Sequence, residues 1–130
     1  MENDMKFSLV IGVICVFGMM GCSNDNGTNA EPESELLAAT EVKATRIGRN
    51  AVRVEWKDNS RGEEGYLIER KANEGAYEAR VFTTSDALAA VDSSGLLIDV
   101  SYSYRVQPIR YSERGPLSDA VTIRLTLPFP

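Results

Sequence analysis

An all-β antiparallel sandwich is the fold class that this chain of 130 residues predicts. Two observations carry the prediction. Apolar and polar residues alternate with period two in one segment after another between Ala51 and Thr126, as they do in strands with one buried and one wet face. The segments are short and are bounded by Asn, Asp, Gly and Ser clusters, which is the punctuation of a sandwich rather than of a helical or α/β chain.

Taken in order, the elements begin with a leader. Phe7 to Met20 is a charge-free apolar run that stops at Gly21-Cys22. It is shorter than the ~20 residues that span a bilayer and ends in small residues without a stop-transfer charge cluster, so a cleaved signal is expected over 1–21 rather than a retained anchor helix. Met19-Met20-Gly21-Cys22 resembles the bacterial lipobox, in which the cysteine is lipidated and becomes the new N-terminus; Gly21-Cys22 carries the match and the two methionines depart from it. Glu2 and Asp4 outweigh Lys6 where a signal wants positive charge, a conflict that a start at Met5 removes. Cys15 lies inside the run, so cleavage leaves Cys22 alone, with no internal disulfide. Ser23 after the cysteine resembles lipoproteins sent to the outer membrane of enteric bacteria. The expected location is therefore a bacterial cell envelope, with a lipid anchor at Cys22.

From Ser23 to Glu35 the chain is polar and acidic, with Asp25, Glu31, Glu33 and Glu35. This stretch, 22–35 with the cysteine, reads as a flexible tether that spans roughly 20 Å as a coil and about 45 Å drawn out. Leader and tether take six of the nineteen acids and one of the fourteen bases, so thirteen of each remain in the rest of the chain. The net charge of −5 belongs to the N-terminal segments. A formally neutral domain lacks the basic face that a nucleic-acid module needs.

The folded part is expected over 36–127, with 128–130 as a tail, since Leu127-Pro128-Phe129-Pro130 cannot continue a central strand. Its first clear strand has Val52, Val54 and Trp56 on one face, with Arg53 and Glu55 on the other. Asp58-Asn59-Ser60-Arg61-Gly62 ends it with turn chemistry. Tyr66, Ile68 and Arg70 then alternate with Leu67 and Glu69, and Tyr77, Ala79 and Val81 follow an Asn73-Glu74-Gly75 turn. A weakly patterned Ala-rich strand is placed near Ala87 to Val91. Tyr102, Tyr104 and Val106 alternate with Ser103 and Arg105, and Val121, Ile123 and Leu125 with Thr122, Arg124 and Thr126.

Val52-x-Val54-x-Trp56-x-Asp58-Asn59-Ser60-x-x-Glu63-x-Gly65-Tyr66-x-Ile68-Glu69-Arg70, followed by Gly95-Leu96, Tyr102-Ser103-Tyr104-Arg105-Val106, Gly115 and Ser118, resembles the fibronectin type III family. The likeness runs from Val42 to Thr126. It implies a seven-stranded, immunoglobulin-like sandwich with Val52, Val54, Trp56, Tyr66, Ile68, Leu96, Tyr102, Tyr104 and Val106 in the core. It also implies a tyrosine corner between Leu96 and Tyr102, and places the loops after Trp56 and Val106 together at the pole that holds the N-terminus. Leu97-Ile98-Asp99-Val100-Ser101 departs from the family's usual Pro-Gly pair and puts Leu97 and Ile98 on an exposed loop, an apolar spot that serves either packing or contact. Trp56 shares a face with Val52 and Val54, so it is read as core and not as a sugar-stacking platform.

The chain has no histidine, the usual general base and commonest metal ligand. No strand–helix phosphate loop is present, and no pair of carboxylates is placed by its spacing across a cleft. Asp58-Asn59-Ser60 lacks the ligand spacing of a calcium loop and reads as turn capping. No enzyme, cofactor or metal is expected. Binding is assigned to Arg61, Arg110, Tyr111 and Arg114, because Arg and Tyr are enriched in interface hot spots; Arg114-Gly115-Pro116 is not an integrin-type Arg-Gly-Asp. The expected role is protein binding or spacing at the envelope, with a protein or glycan as partner. A carbohydrate-binding accessory module is the second reading and a purely structural spacer a further one.

Overall fold

The computed structural model describes residues 35–129. The expected signal, Cys22 and the expected tether up to residue 34 lie outside the described residues. Eight strands follow one another: β1 (Thr40–Gly48), β2 (Ala51–Lys57), β3 (Gly65–Ala72), β4 (Glu78–Phe82), β5 (Ala89–Asp92), β6 (Ser101–Arg110), β7 (Glu113–Arg114) and β8 (Val121–Arg124). They form two antiparallel sheets, β1-β2-β5 and β4-β3-β6, with β7 and β8 both paired to β6. There is no helix among the described residues.

The expected seven strands are present, the last of them in two pieces, and the reason is Pro108. It stands within β6 and accepts a hydrogen bond from Gly115 N at 2.9 Å, but it has no N–H to return. The Gly115 carbonyl takes its proton instead from the Gln107 side-chain amide, at 2.7 Å. Regular pairing lapses until Ser118, whose amide donates to Val106 O at 2.9 Å, and it resumes fully at β8. Gly115 also has no room for a side chain, since a Cβ there would sit 2.7 Å from Leu36 and 2.8 Å from the Pro108 ring.

The inward faces of both sheets supply the core: Val52, Val54 and Trp56 from β2, Tyr66 and Ile68 from β3, Tyr102, Tyr104 and Val106 from β6, with Ala39, Leu96 and Leu125. Trp56 and Tyr66 pack with ring centroids 5.2 Å apart, tilted 55°. The Leu97 amide donates to the Tyr102 hydroxyl at 2.8 Å, which is the tyrosine corner. Gly65 holds β3 against the chain after β4, where a Cβ would lie 2.0 Å from the Thr83 carbonyl oxygen.

Three details differ from the sequence reading. Leu67, expected on the wet face, is fully buried there; its cross-strand neighbours are Phe82 and Gln107, and β3 is central enough for flanking side chains to close over it. Ile98 does not share the exposure of Leu97, which is 63% exposed, but packs onto the core, because Asp99 N bonds to Leu125 O at 2.6 Å and folds the loop inward. The fifth strand lies slightly later than placed, at Ala89–Asp92, and pairs with β2. At the domain limits, Glu35 exchanges two 2.9 Å backbone bonds with Arg61, and the Phe129 ring lies 4.8 Å from the Arg46 guanidinium of β1.

Candidate functional site

The β6–β7 hairpin turns through two residues, Tyr111 and Ser112. Its legs are locked by the register pair Arg110 and Glu113, whose guanidinium and carboxylate meet at 2.6 Å. Tyr111 sits at φ +54°, the left-handed region that a bulky residue occupies at a cost of about 1–2 kcal/mol, and the residue is 85% exposed. Arg114, the next exposed cation, reaches only the Gln107 amide oxygen at 3.4 Å. Arg110 is neutralised by Glu113 and its Nη1 is buried without a partner; it holds the turn rather than presenting charge.

Arg61 lies on the loop between β2 and β3. That loop is fastened to β6, since Glu64 N donates to Ile109 O at 2.8 Å, and to the first described residue through the Glu35–Arg61 bridge. The two loops and the N-terminal segment therefore share one pole. Arg110, Tyr111 and Arg114 come together on the hairpin; Arg61 sits on the neighbouring loop, and its backbone is tied to Glu35 rather than to the hairpin.

The turn after β2 is built by its own side chains. Asp58 accepts from Ser60 N at 2.9 Å and from the Tyr66 hydroxyl. Asn59 donates to Ala38 O and Thr40 Oγ1, and Ser60 exchanges bonds with the Leu37 backbone. These are capping roles. The fold adds what spacing did not reveal: the carboxylate oxygens of Asp58, Glu63 and Asp86 lie within 4.8 Å of one another. Buried Glu63 is held there by the Asp86 amide at 3.0 Å.

A second polar cluster spans the two sheets. Asp92 of β5 accepts from Arg70 of β3 at 2.7 Å, from the Tyr104 hydroxyl of β6 at 2.8 Å and from Ser94 N at 3.3 Å. Burial, and then the hydrogen bond to Asp92, push the Tyr104 hydroxyl far above the ordinary tyrosine range; burial and Asp58 do the same to Tyr66. Both shifts favour the neutral phenol, the opposite of what an activated base or nucleophile requires. An inward Arg70 beside Tyr66 and Ile68 was a visible signal that an acid must face it; which acid was hidden, because Asp92 ends the weakly patterned strand.

The same fold occurs in solved structures of fibronectin type III domains. A human contactin 1 domain is 24% identical, with a TM-score of 0.64, covering 87% of this chain and 98% of that one. The third fibronectin III domain of human KIAA0343 protein is 16% identical with a TM-score of 0.61, covering 80% and 94%. A beta-1,2-glucanase from Parabacteroides distasonis contains a similar region, 16% identical with a TM-score of 0.59, covering 76% of this chain and 14% of the glucanase. No protein-family profile and no curated protein matches the sequence. The chain thus has a fibronectin type III fold.

Proposed function

We propose that this chain is a lipid-anchored protein of a bacterial cell envelope whose sandwich is a non-catalytic module binding a protein partner through the β6–β7 hairpin. The observation that carries the binding site is Tyr111. It is an aromatic side chain held out of the fold on a strained, salt-bridged turn, next to Arg114, which has no carboxylate partner among the described residues. An amphipathic ring with few rotamers to lose and, on the same hairpin, a guanidinium without a carboxylate partner are what interface hot spots are made of. The anchor rests on Gly21-Cys22 behind the apolar run.

Crosslinking in living cells followed by pull-down tests the binding site. The wild-type chain should capture a partner that the Arg110→Ala, Tyr111→Ala, Arg114→Ala variant loses, with both reaching the envelope folded; an unchanged capture refutes the hairpin as the site. Labelling with a fatty-acid probe tests the anchor, and incorporation that persists in Cys22→Ala refutes it. Carbohydrate recognition remains the second reading. Exposed Tyr111 and Phe82, 62% exposed, and the occurrence of this fold within a bacterial glucanase favour it, and glycan capture lost in the same variant would select it.

A further inference from the structure

Where the two sheets meet along their open edge, a cleft of about 350 Å³ separates Ala38–Val42 from Leu117–Ala120. One wall is the edge of the first sheet, since β1 pairs only with β2. Its pairing skips from Thr40↔Lys57 to Lys43↔Glu55, and Glu41 stands at φ +55°. This is a bulge, the device by which an edge strand is bent or its side chain re-aimed. The other wall is the interrupted stretch between β7 and β8. Ser118 N is taken by Val106 O at 2.9 Å, and amides alternate in direction along an extended chain. Leu117 N and Asp119 N therefore face away from β6, and neither has an acceptor among the described residues. Leu117–Ala120 covers about 13 Å of extended chain, enough to pair with a short strand.

The chemistry of the cleft selects its occupant. Small apolar side chains, Ala39 and Ala120 among them, leave the floor open. Glu41 and Asp119 supply two exposed carboxylates, and no Lys or Arg lines the cleft. Neither carboxylate meets a cation at ion-pair distance among the described residues. A second copy of this edge would bring like charges together, whereas a cationic strand would satisfy both acids and the free amides.

We propose that the cleft takes an extended peptide segment of a partner protein, added as a strand along Leu117–Asp119 with a Lys or Arg side chain between Glu41 and Asp119. The mode is strand addition, in which backbone bonds provide the hold and one side chain the selectivity. This site is separate from the Tyr111 hairpin.

The test is selection of a random heptapeptide display library on the full chain, with counter-selection on the Glu41→Lys, Asp119→Lys variant. Enriched peptides should carry Lys or Arg among apolar or β-branched residues. A synthetic representative should shift the Leu117 and Asp119 amide resonances and bind the charge-reversed variant about tenfold more weakly. Ala120→Phe, which fills the cleft without altering its charge, should weaken binding as well, and Arg110→Ala, Tyr111→Ala, Arg114→Ala should leave it intact, so the hairpin and the cleft are read separately. Melting curves establish that each variant is folded. The proposal is overturned if no peptide distinguishes wild type from the charge-reversed chain, if enriched peptides are acidic, if the shifted amides lie elsewhere, or if the peptide-free chain dimerises through this edge.

Discussion

Two tyrosines on neighbouring strands solve the same problem differently. Tyr66 of β3 and Tyr104 of β6 both point inward, and both donate a hydrogen bond from their hydroxyl to an aspartate. Asp58, which receives Tyr66, is half-buried on a turn and needs only the Ser60 amide beside it. Asp92, which receives Tyr104, is 3% exposed and is held by Arg70 as well. The difference follows from solvation: a carboxylate at the rim of the sandwich keeps water, whereas one between the sheets requires a paired cation. One end of the interior is closed by packing, with Trp56 against Tyr66, and the other by an ionic clasp.

Removing the closing group at either end should have the largest effects. Trp56→Ala is expected to cost about 3–5 kcal/mol, a large share of the stability of a small domain, and a near-wild-type melting temperature would break the packing account of that end. Asp92→Ala leaves the part-buried Arg70, 11% exposed at its side chain, with the Ser94 carbonyl at 2.9 Å but no acid to balance its charge, and should cost up to about 3–5 kcal/mol. The clasp is better tested by the double change Asp92→Leu with Arg70→Met, which removes both charges and should restore much of the loss; if it does not, the role of the pair lies in its hydrogen bonds to Tyr104 and Ser94. Asp58→Ala should cost less, about 1–3 kcal/mol, from the lost phenol and Ser60 bonds. A loss equal to that of Asp92→Ala would erase the distinction between the two ends.

Alkaline titration sharpens the same comparison. Both phenols are raised above the ordinary value near 10 in the folded chain, so above that pH the unfolded chain releases protons that the folded chain retains. Fewer protons bound in the unfolded state means that stability falls as pH rises, by roughly 1.4 kcal/mol per pH unit for each tyrosine once the unfolded phenols ionise. The contribution is fully present below pH 10. Chemical denaturation from pH 9 to 11 should show the slope, and Tyr104→Phe and Tyr66→Phe should each remove part of it; a slope unchanged in both variants refutes the assignment.

How far the sequence reached follows from the range of the interactions. The inward rows of β2, β3 and β6 were legible because alternation is local, and the tyrosine corner because Leu96 and Tyr102 are six residues apart. The Arg70–Asp92 clasp was half legible: the inward arginine could be seen, the acid 22 residues away could not. The division of the last strand depended on Pro108 meeting Gly115 across a hairpin, and the cleft on two segments nearly eighty residues apart coming side by side. Leu67 was misread because alternation reports which face a side chain takes and not what covers that face. For the hairpin, residue types named Tyr111 and Arg114, but only the fold separates them from Arg110, which Glu113 neutralises.

The smallest expected effect lies at Tyr111, and its sign is informative. A core residue loses stability on truncation; Tyr111 has almost nothing to lose, being 85% exposed, so Tyr111→Ala should stay within about ±0.5 kcal/mol of wild type. Glycine does better in the left-handed region, and Tyr111→Gly should stabilise the chain by about 0.5–1 kcal/mol through relief of the φ +54° strain. Melting temperatures of the two variants measure this directly. If glycine stabilises while partner capture is lost, the tyrosine is present at the expense of the fold and its reason is the surface it presents. If glycine destabilises, the ring packs on the hairpin in solution and Tyr111 belongs with the structural tyrosines after all.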